Sequence, residues 1–193
     1  MNKTIINLAK AFIGESQARN RYDMYGKVAV KEGLEKVADN FFLTAEQEKE
    51  HASWMFKLIN QLKKDDQSLD QIILTGAEVD VNIIYGDSKT NLKSAIAGED
   101  HEQTVMYPEF AATAEAEGYP EIANRLRAIA KAEFNHEDRF KTLLAELESD
   151  TMFKKDKEIT WVCKKCGYIH TGKEAPEACP SCGHAKGFFS EKK

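Results

Sequence analysis

Cysteine is absent from the first four-fifths of this 193-residue chain; all four cysteines fall in its last fifth. Proline is scarce too, at four residues, and residues 1–150 hold long helix-forming stretches with few breakers. There is no excess of basic charge, since 27 Lys and Arg face 32 Asp and Glu for a formal net charge of −5. The basic stripe expected of a nucleic-acid-binding protein is therefore missing, and no such partner is expected. No apolar run approaches the roughly 20 residues of a membrane span, so no membrane association is expected either. The opening residues, Met1-Asn2-Lys3-Thr4-Ile5-Ile6-Asn7, lack the apolar core and small-residue cleavage site of a secretion signal, which places the chain in the cytoplasm. Disulfides are rare in that compartment, so two C-x-x-C pairs read as metal ligands. What is present, 42% hydrophobic and 31% charged residues, suffices for one packed core under a well-solvated surface, plus a small appendage.

The helical pattern divides into four segments. The first runs from Thr4, read as its N-cap, to a stop at Gly33, and the second follows at once from Leu34 to Lys64. Residues 65–90 are rich in β-branched side chains (Ile72, Ile73, Val79, Val81, Ile83, Ile84) and contain Gly76 and Gly86, the marks of a long crossover. A third helix starts after Thr90 and stops at Gly118, kinked at Pro108. The fourth begins near Pro120 and runs to about Glu148. Two helical hairpins joined by one long crossover form a ferritin-like four-helix bundle, so the fold class is mainly α. The division is then residues 1–150 as bundle, 151–158 as a polar linker, and 159–193 as a small zinc-ribbon-like four-cysteine domain too short to fold without a staple.

Along the 3–4 stride that faces a bundle core, each helix turns polar at its middle. The second helix reads Leu34, Val37, Phe41, Thr44, Glu48, His51, Met55, Leu58, Leu62, and the fourth reads Ile122, Leu126, Ile129, Glu133, His136, Phe140, Leu143, Leu147. The third gives Leu92, Ala95, Glu99, Glu102, Met106, Phe110, and the first gives Ile5, Leu8, Phe12, Glu15 and, two turns on, Tyr22. Five carboxylates and two imidazoles thus share one buried layer. Unpaired, they would cost several kcal/mol per ion. Two divalent ions bring four positive charges, matched by Glu15, Glu48, Glu99 and Glu133. One Glu from each of two helices with Glu-x-x-His from the other two is the di-metal carboxylate arrangement, and oxygen-rich ligation suits iron or manganese better than zinc or copper. A structural ion-pair network is the rival reading. His101 points off the seam, Tyr22 and Tyr107 fit a core as well as a site, and Arg19 and Arg21 read as solvated or paired outside it.

In the tail, Cys163-Lys-Lys-Cys166-Gly167 and Cys179-Pro-Ser-Cys182-Gly183 are two knuckles separated by twelve residues. Each glycine permits a tight turn that aims backbone N–H groups at the thiolates. Four thiolates make a tetrahedral site for zinc or iron, and the spacing does not choose between them. A neighbouring di-iron centre, which must be supplied with electrons, favours iron. His170 and His184 are surplus to a completed site and are expected to be exposed.

These residues resemble a known family. Ala11-Phe12-Ile13-Gly14-Glu15-Ser16-Gln17-Ala18-Arg19-Asn20-Arg21-Tyr22 is similar to the first-helix signature of rubrerythrins. Glu46-Gln47-Glu48-Lys49-Glu50-His51-Ala52, Ala97-Gly98-Glu99-Asp100-His101-Glu102 with Met106-Tyr107-Pro108, and Ala132-Glu133-Phe134-Asn135-His136-Glu137 continue the likeness, and the tail is rubredoxin-like. The resemblance spans nearly the whole chain. It implies a cytoplasmic peroxidase that reduces hydrogen peroxide to water in oxygen-sensitive or microaerobic cells, with two irons in the bundle and one in the tail. By the same resemblance Glu48 and Glu133 bridge the irons, Glu15 is terminal on one, and Glu99 and His136 bind the other. Glu102 is the family's additional carboxylate, exchanging with His51 as the oxidation state changes, and Tyr22 and Tyr107 are tyrosines beside the ligands. The expected partners are hydrogen peroxide, an electron donor such as rubredoxin or an NAD(P)H-dependent reductase, and a second copy of the chain in a homodimer or larger homo-oligomer. Rival functions are a ferritin-like iron oxidase or store, an oxygen-activating di-iron oxygenase, and a non-enzymatic bundle with a zinc ribbon.

Overall fold

The computed structural model describes residues 2–65 and 77–192. Helix α1 spans Lys3–Lys31 and α2 spans Glu35–Asp65. Helix α3 (Ser88–His101) passes through a π-helical turn, Glu102–Met106, into α4 (Tyr107–Ala116), and α5 spans Pro120–Glu148. Strands β1 (Lys154–Cys163), β2 (Ile169–Glu174) and β3 (Phe189–Glu191) form an antiparallel sheet in the order β2-β1-β3. The mainly helical, ferritin-like architecture with a small four-cysteine tail is as expected. Strand β1 begins inside the stretch read as linker. Ile72, Ile73 and Gly76 of the expected crossover lie outside the described residues. Residues 77–86 run extended along the bundle, held where Tyr25 Oη donates to the Ile84 carbonyl (2.6 Å) and Asn82 donates to Ser94 Oγ (2.9 Å).

The start of α1 differs from the expected one for a physical reason, while its stop at Gly33 is as expected. Asn2, not Thr4, caps α1, accepting from the Ile5 N–H at 3.2 Å. Thr4 is buried in the first turn, where its N–H and hydroxyl both donate to Glu117, at 2.8 and 2.6 Å. A carboxylate from the far end of α4 thus takes up free N–H groups of α1, where the helix dipole favours negative charge. At the other end, Gly33 adopts φ +73° and lets Leu34 N–H return to the Ala29 carbonyl (2.8 Å), the left-handed stop that only glycine adopts readily.

The third seam departs more sharply from the simple pattern. Leu92, Ala95, Glu99 and Glu102 are buried as a 3–4 stride requires, but the next buried positions are Tyr107, Ala111 and Ala114. Met106 and Phe110, the expected core residues, are only half-buried. The π turn inserts one residue into the stride, so the core-facing position moves from 106 to 107. Pro108 follows directly, and its missing N–H removes an α-helical bond there. The irregularity expected at Pro108 is therefore a register shift one turn earlier.

Two apolar clusters fill the bundle. One contains Ile5, Leu8, Met55, Leu58, Tyr107, Ile122 and Leu126. The other contains Tyr22, Tyr25, Val37, Phe41, Leu92, Phe140 and Leu143. The charged layer lies between them. Phe153 packs on the second cluster and on the tail's own core of Trp161, Cys163, Ala175, Cys179 and Phe189, so the tail is seated at the α1–α2 turn. Lys164 reaches Glu35 (2.9 Å) and Asp39 (2.6 Å) on α2. A Cβ on Gly187 would overlap the Gly33 carbonyl, so the two backbones meet where only glycine fits.

Candidate metal centres

Glu15, Glu48, Glu99 and Glu133 are all fully buried at the middle of their helices, and His136 is nearly so. They form two overlapping groups whose ligand atoms lie within 4.8 Å of one another: Glu15, Glu48, His51 and Glu133, and then Glu48, Glu99, Glu133 and His136. Glu48 and Glu133 belong to both. His51 Nδ1 lies 3.0 Å from Glu48 Oε2 and 2.9 Å from Glu133 Oε1. On the other side His136 Nδ1 lies 2.9 Å from Glu48 Oε1 and 2.8 Å from Glu133 Oε2. Glu102 is buried beside these groups but belongs to neither. Tyr22 Oη donates to Glu99 Oε1 at 2.5 Å, and Tyr107 Oη donates to Glu15 Oε1. The structure thus brings Glu15, Glu48, His51, Glu99, Glu102, Glu133, His136, Tyr22 and Tyr107 into one layer, while His101 is exposed.

Whether these residues suit metal ions is answered by their unsatisfied atoms. Glu15 Oε2, Glu48 Oε1, Glu99 Oε2, both Glu133 oxygens and His136 Nδ1 are buried without a hydrogen-bond partner. His136 Nδ1 is within 3.4 Å of three carboxylate oxygens, from Glu48, Glu99 and Glu133, yet aligned for a hydrogen bond with none, as expected of atoms aimed at shared points between them. Each orphaned buried polar atom costs ~1–3 kcal/mol, and together they would rival a domain's whole stability of ~5–15 kcal/mol. Cations at the shared points remove that cost.

The electrostatics give the same picture with protons in place of metal. Burial, then the charges of Glu48, Glu133 and Glu102, hold the Glu15 carboxyl well above its ordinary range. Burial and the Glu48 charge push Glu99 up to about 8. Glu102 is raised by burial and by Glu99. Burial opposes charging of His136, but Glu133, Glu48 and Glu99 outweigh it and push its pKa up to about 12; for His51 burial is likewise outweighed by Glu133 and Glu48, to about 9. Burial would also raise Glu48, but His136 and His51 bring it down to about 2. The layer attracts positive charge in whatever form is supplied.

In the tail, the Sγ atoms of Cys163 and Cys182 are 3.8 Å apart and those of Cys166 and Cys179 are 3.6 Å apart. A tetrahedral site with metal–sulfur bonds of ~2.3 Å has edges of about 3.8 Å, so the four thiols already stand at the corners. Gly167 and Gly183 adopt φ +77° and +74° in the two knuckles. The Tyr168 backbone N–H turned on Cys166 is the largest cause bringing that thiol down to about 6. His170 and His184 lie outside the group, but they are half-buried rather than exposed. His184 packs edge-on against Phe188 at 4.7 Å, which accounts for its burial without a ligand role.

The two centres occur in the order and spacing of one family. Its model, Rubrerythrin, matches residues 7–144, and the model of the rubrerythrin rubredoxin-like domain matches residues 161–190. The chain belongs to the rubrerythrin family. It is 54% identical over 192 residues to a relative from Methanocaldococcus jannaschii assigned to the rubrerythrins, covering all of this chain and 94% of the relative. Rubrerythrin of Porphyromonas gingivalis is 44% identical, with coverage of 100% and 91%, and that of Nitratidesulfovibrio vulgaris is 42% identical, with 97% and 93%. Among solved structures, nigerythrin in a mixed-valence state superposes with a TM-score of 0.64 at 28% identity, over 98% of this chain and 86% of that one. As a rubrerythrin, the chain carries a di-iron carboxylate–histidine site in its bundle and a rubredoxin-like four-cysteine site in its tail, and it is an oxidoreductase type of oxidative-stress protein with electron-transfer partners. Among the described residues no helix is long and apolar enough to cross a membrane.

Two residues near the bundle site were not anticipated. Arg139, one turn beyond His136, keeps Nε buried and unpaired while Nη2 donates to Thr44 Oγ1 (3.0 Å) and Gln47 Oε1 (2.7 Å). The one signal in the sequence is its position three residues after His136, on the side of the helix next to the seam residue Phe140. Arg21, read as lying outside the site, lines a cleft together with Glu102 and His101, and its charge opposes the rise of the Glu102 pKa. Arg19 does stay outside the site, against Asn20 at 3.2 Å.

Proposed function

We propose that this rubrerythrin is a hydrogen peroxide reductase that takes its electrons through the four-cysteine tail. The observation that carries this reading is the pair of ligand groups sharing Glu48 and Glu133, with a further buried carboxylate, Glu102, standing between them and a solvent cleft. Glu15, Glu48, His51 and Glu133 would hold one iron and Glu48, Glu99, Glu133 and His136 the other, Glu48 and Glu133 being common to both groups. Cys163, Cys166, Cys179 and Cys182 would hold the third iron. When reduced, the di-iron pair supplies the two electrons that split an O–O bond.

The remaining work falls to the chain. Tyr107 and Tyr22 fix Glu15 and Glu99 by donating to one oxygen of each, leaving the other oxygen for metal. The two apolar clusters exclude water from both ends of the layer, which strengthens every charge interaction within it. Glu102 reaches the cleft, and its raised pKa suits it to hold a proton where peroxide arrives. As a carboxylate it could also exchange with His51, the half-buried member of the ligand set.

Electron delivery favours a second copy of the chain. Lys164, next to Cys163, meets α2 at Glu35 and Asp39, and Glu48 lies nine residues beyond Asp39. That alone is ~14 Å along the helix axis. A homodimer in which one tail serves the other copy's bundle would shorten the path, and a cytoplasmic rubredoxin or NAD(P)H-dependent reductase would refill the tail.

The test is to reduce the iron-loaded protein anaerobically, mix it rapidly with near-stoichiometric hydrogen peroxide or with O₂, and follow the visible iron–thiolate absorption. Rapid recovery of colour with peroxide and much slower recovery with O₂ is expected. Faster recovery with O₂ would indicate an oxidase instead.

A further inference from the structure

The cleft beside Glu102 is much larger than hydrogen peroxide needs. It lies between α1, the extended 78–82 strap and the π turn, with a volume of about 550 Å³. A peroxide molecule takes little more than the ~30 Å³ share of a water, whereas pockets for small organic ligands span roughly 300–1,000 Å³. Its lining is mixed: Val81, Val105, Met106 and Phe110 supply apolar surface among charged residues that include Arg21, Glu102 and Glu109. The π turn moves the core-facing position to Tyr107, so Met106 and Phe110 sit at the margin of the first apolar cluster, packed against it on one side and lining the cleft on the other. Glu102 therefore joins two environments, the carboxylate layer on one side and a roomy cleft with apolar lining residues on the other.

We propose that the same site reduces organic hydroperoxides, the class of neutral alkyl and aryl ROOH. This inference rests on the peroxidase reading. The O–O group would sit at Glu102 and the hydrocarbon would lie on Met106, Val105 and Phe110. The reaction balances as ROOH plus two electrons and two protons giving ROH and water. The O–O bond breaks, the electrons are those the di-iron pair supplies for hydrogen peroxide, the tail's donor replaces them, and the protons come from solvent through the cleft. A neutral substrate also suits a cleft that carries both Arg21 and carboxylates on its lining.

The experiment compares hydrogen peroxide, tert-butyl hydroperoxide and cumene hydroperoxide on the iron-loaded protein and on Gly14→Leu. Gly14 lines the cleft, and a Cβ there meets nothing within 4 Å, so a side chain can start into the cleft from this helical position, where leucine also has the better helix propensity. Cumene hydroperoxide should turn over within about tenfold of hydrogen peroxide, and Gly14→Leu should lower the ratio of organic to inorganic turnover at least tenfold at equal iron content. Independently of turnover, cumyl alcohol added to zinc-substituted protein should shift the Met106 and Val105 methyl resonances, and Gly14→Leu should abolish the shift. Turnover of hydrogen peroxide alone, or methyl shifts absent from the wild type, would overturn the organic-substrate inference and leave the peroxidase reading standing. Failure with hydrogen peroxide itself would remove the peroxidase reading and this inference with it.

Discussion

The two metal sites are built on opposite plans. In the bundle, the ligands sit in a charged layer between two apolar clusters that are complete without it, and the metal relieves a conflict inside a body already held together. In the tail, the ligands are the core: Cys163 and Cys179 are among its five buried members, alongside Trp161, Ala175 and Phe189. A bundle of this size can tolerate buried carboxylates for the sake of chemistry. A segment of under forty residues cannot bury enough apolar surface to order itself, and metal binding becomes folding.

The largest predicted effect follows from that contrast. Cys179→Ser, or complete chelation, should unfold the tail, since structural tetrathiolate-type sites contribute on the order of 10 kcal/mol. Amide resonances of residues 154–191 should collapse toward random-coil positions while the bundle keeps its helical circular dichroism. A metal-free tail that stayed folded would break the comparison. The next effect belongs to the bundle. Without metal, its stability should depend on pH through Glu99, whose folded pKa of about 8 stands above the ordinary carboxylate value. Such a group contributes fully below ~4.5 and its contribution is lost as pH rises through 8. The raised His51 and His136 add to that loss at higher pH, while Glu48, lowered to about 2, withdraws its contribution only in acid. The unfolding free energy of the metal-free protein in urea should therefore fall between pH 5.5 and 8.5, by at least ~2 kcal/mol, whereas that of the iron-loaded protein should change little. Equal pH dependence in both forms would mean the metals do not neutralise the layer.

Much of this arrangement could be read in the sequence, and the failures have identifiable causes. Glu-x-x-His in the second and fourth seams was visible because a strictly periodic apolar stride makes a charged interruption conspicuous. The helix boundary at Pro120 was visible for a related reason, a first-turn proline after Gly118. The step from Met106 to Tyr107 was not visible, because a π turn is decided by packing rather than by a residue type, and a 3.6-residue stride cannot represent it. Asn2 as the cap and Thr4 as a buried partner of Glu117 depended on a contact spanning more than a hundred residues. Arg139 escaped because its role is a relation to Thr44 and Gln47 on another helix. Periodicity identifies what faces inward, and it is silent about what meets there.

Two smaller effects would sharpen the comparison by separating tail folding from tail docking. Gly187→Ala places a Cβ on the Gly33 carbonyl, and overpacking of that kind costs ~1–3 kcal/mol. The tail should stay folded around its metal with unchanged visible absorption, while proteolysis between residues 149 and 153 accelerates. Loss of the iron–thiolate spectrum in this variant would show that docking and tail folding are one event.

The smallest effect is expected from Lys164→Ala. Its ammonium meets Glu35 and Asp39 at a surface where it is 37% exposed, and such pairs are worth ~0.2–1 kcal/mol. Both partners are acidic and both sit on the first turns of α2, so removing Lys164 leaves two like charges facing the tail. The loss should appear as a modest rise in cleavage at the linker that grows at low salt and fades at high salt, where exposed charges are screened over about a Debye length. Gly187→Ala, acting through shape, should show no such salt dependence. If the two variants respond to salt alike, the tail is held by charge rather than by the backbone fit at Gly33, and the seat of the tail on the bundle is electrostatic.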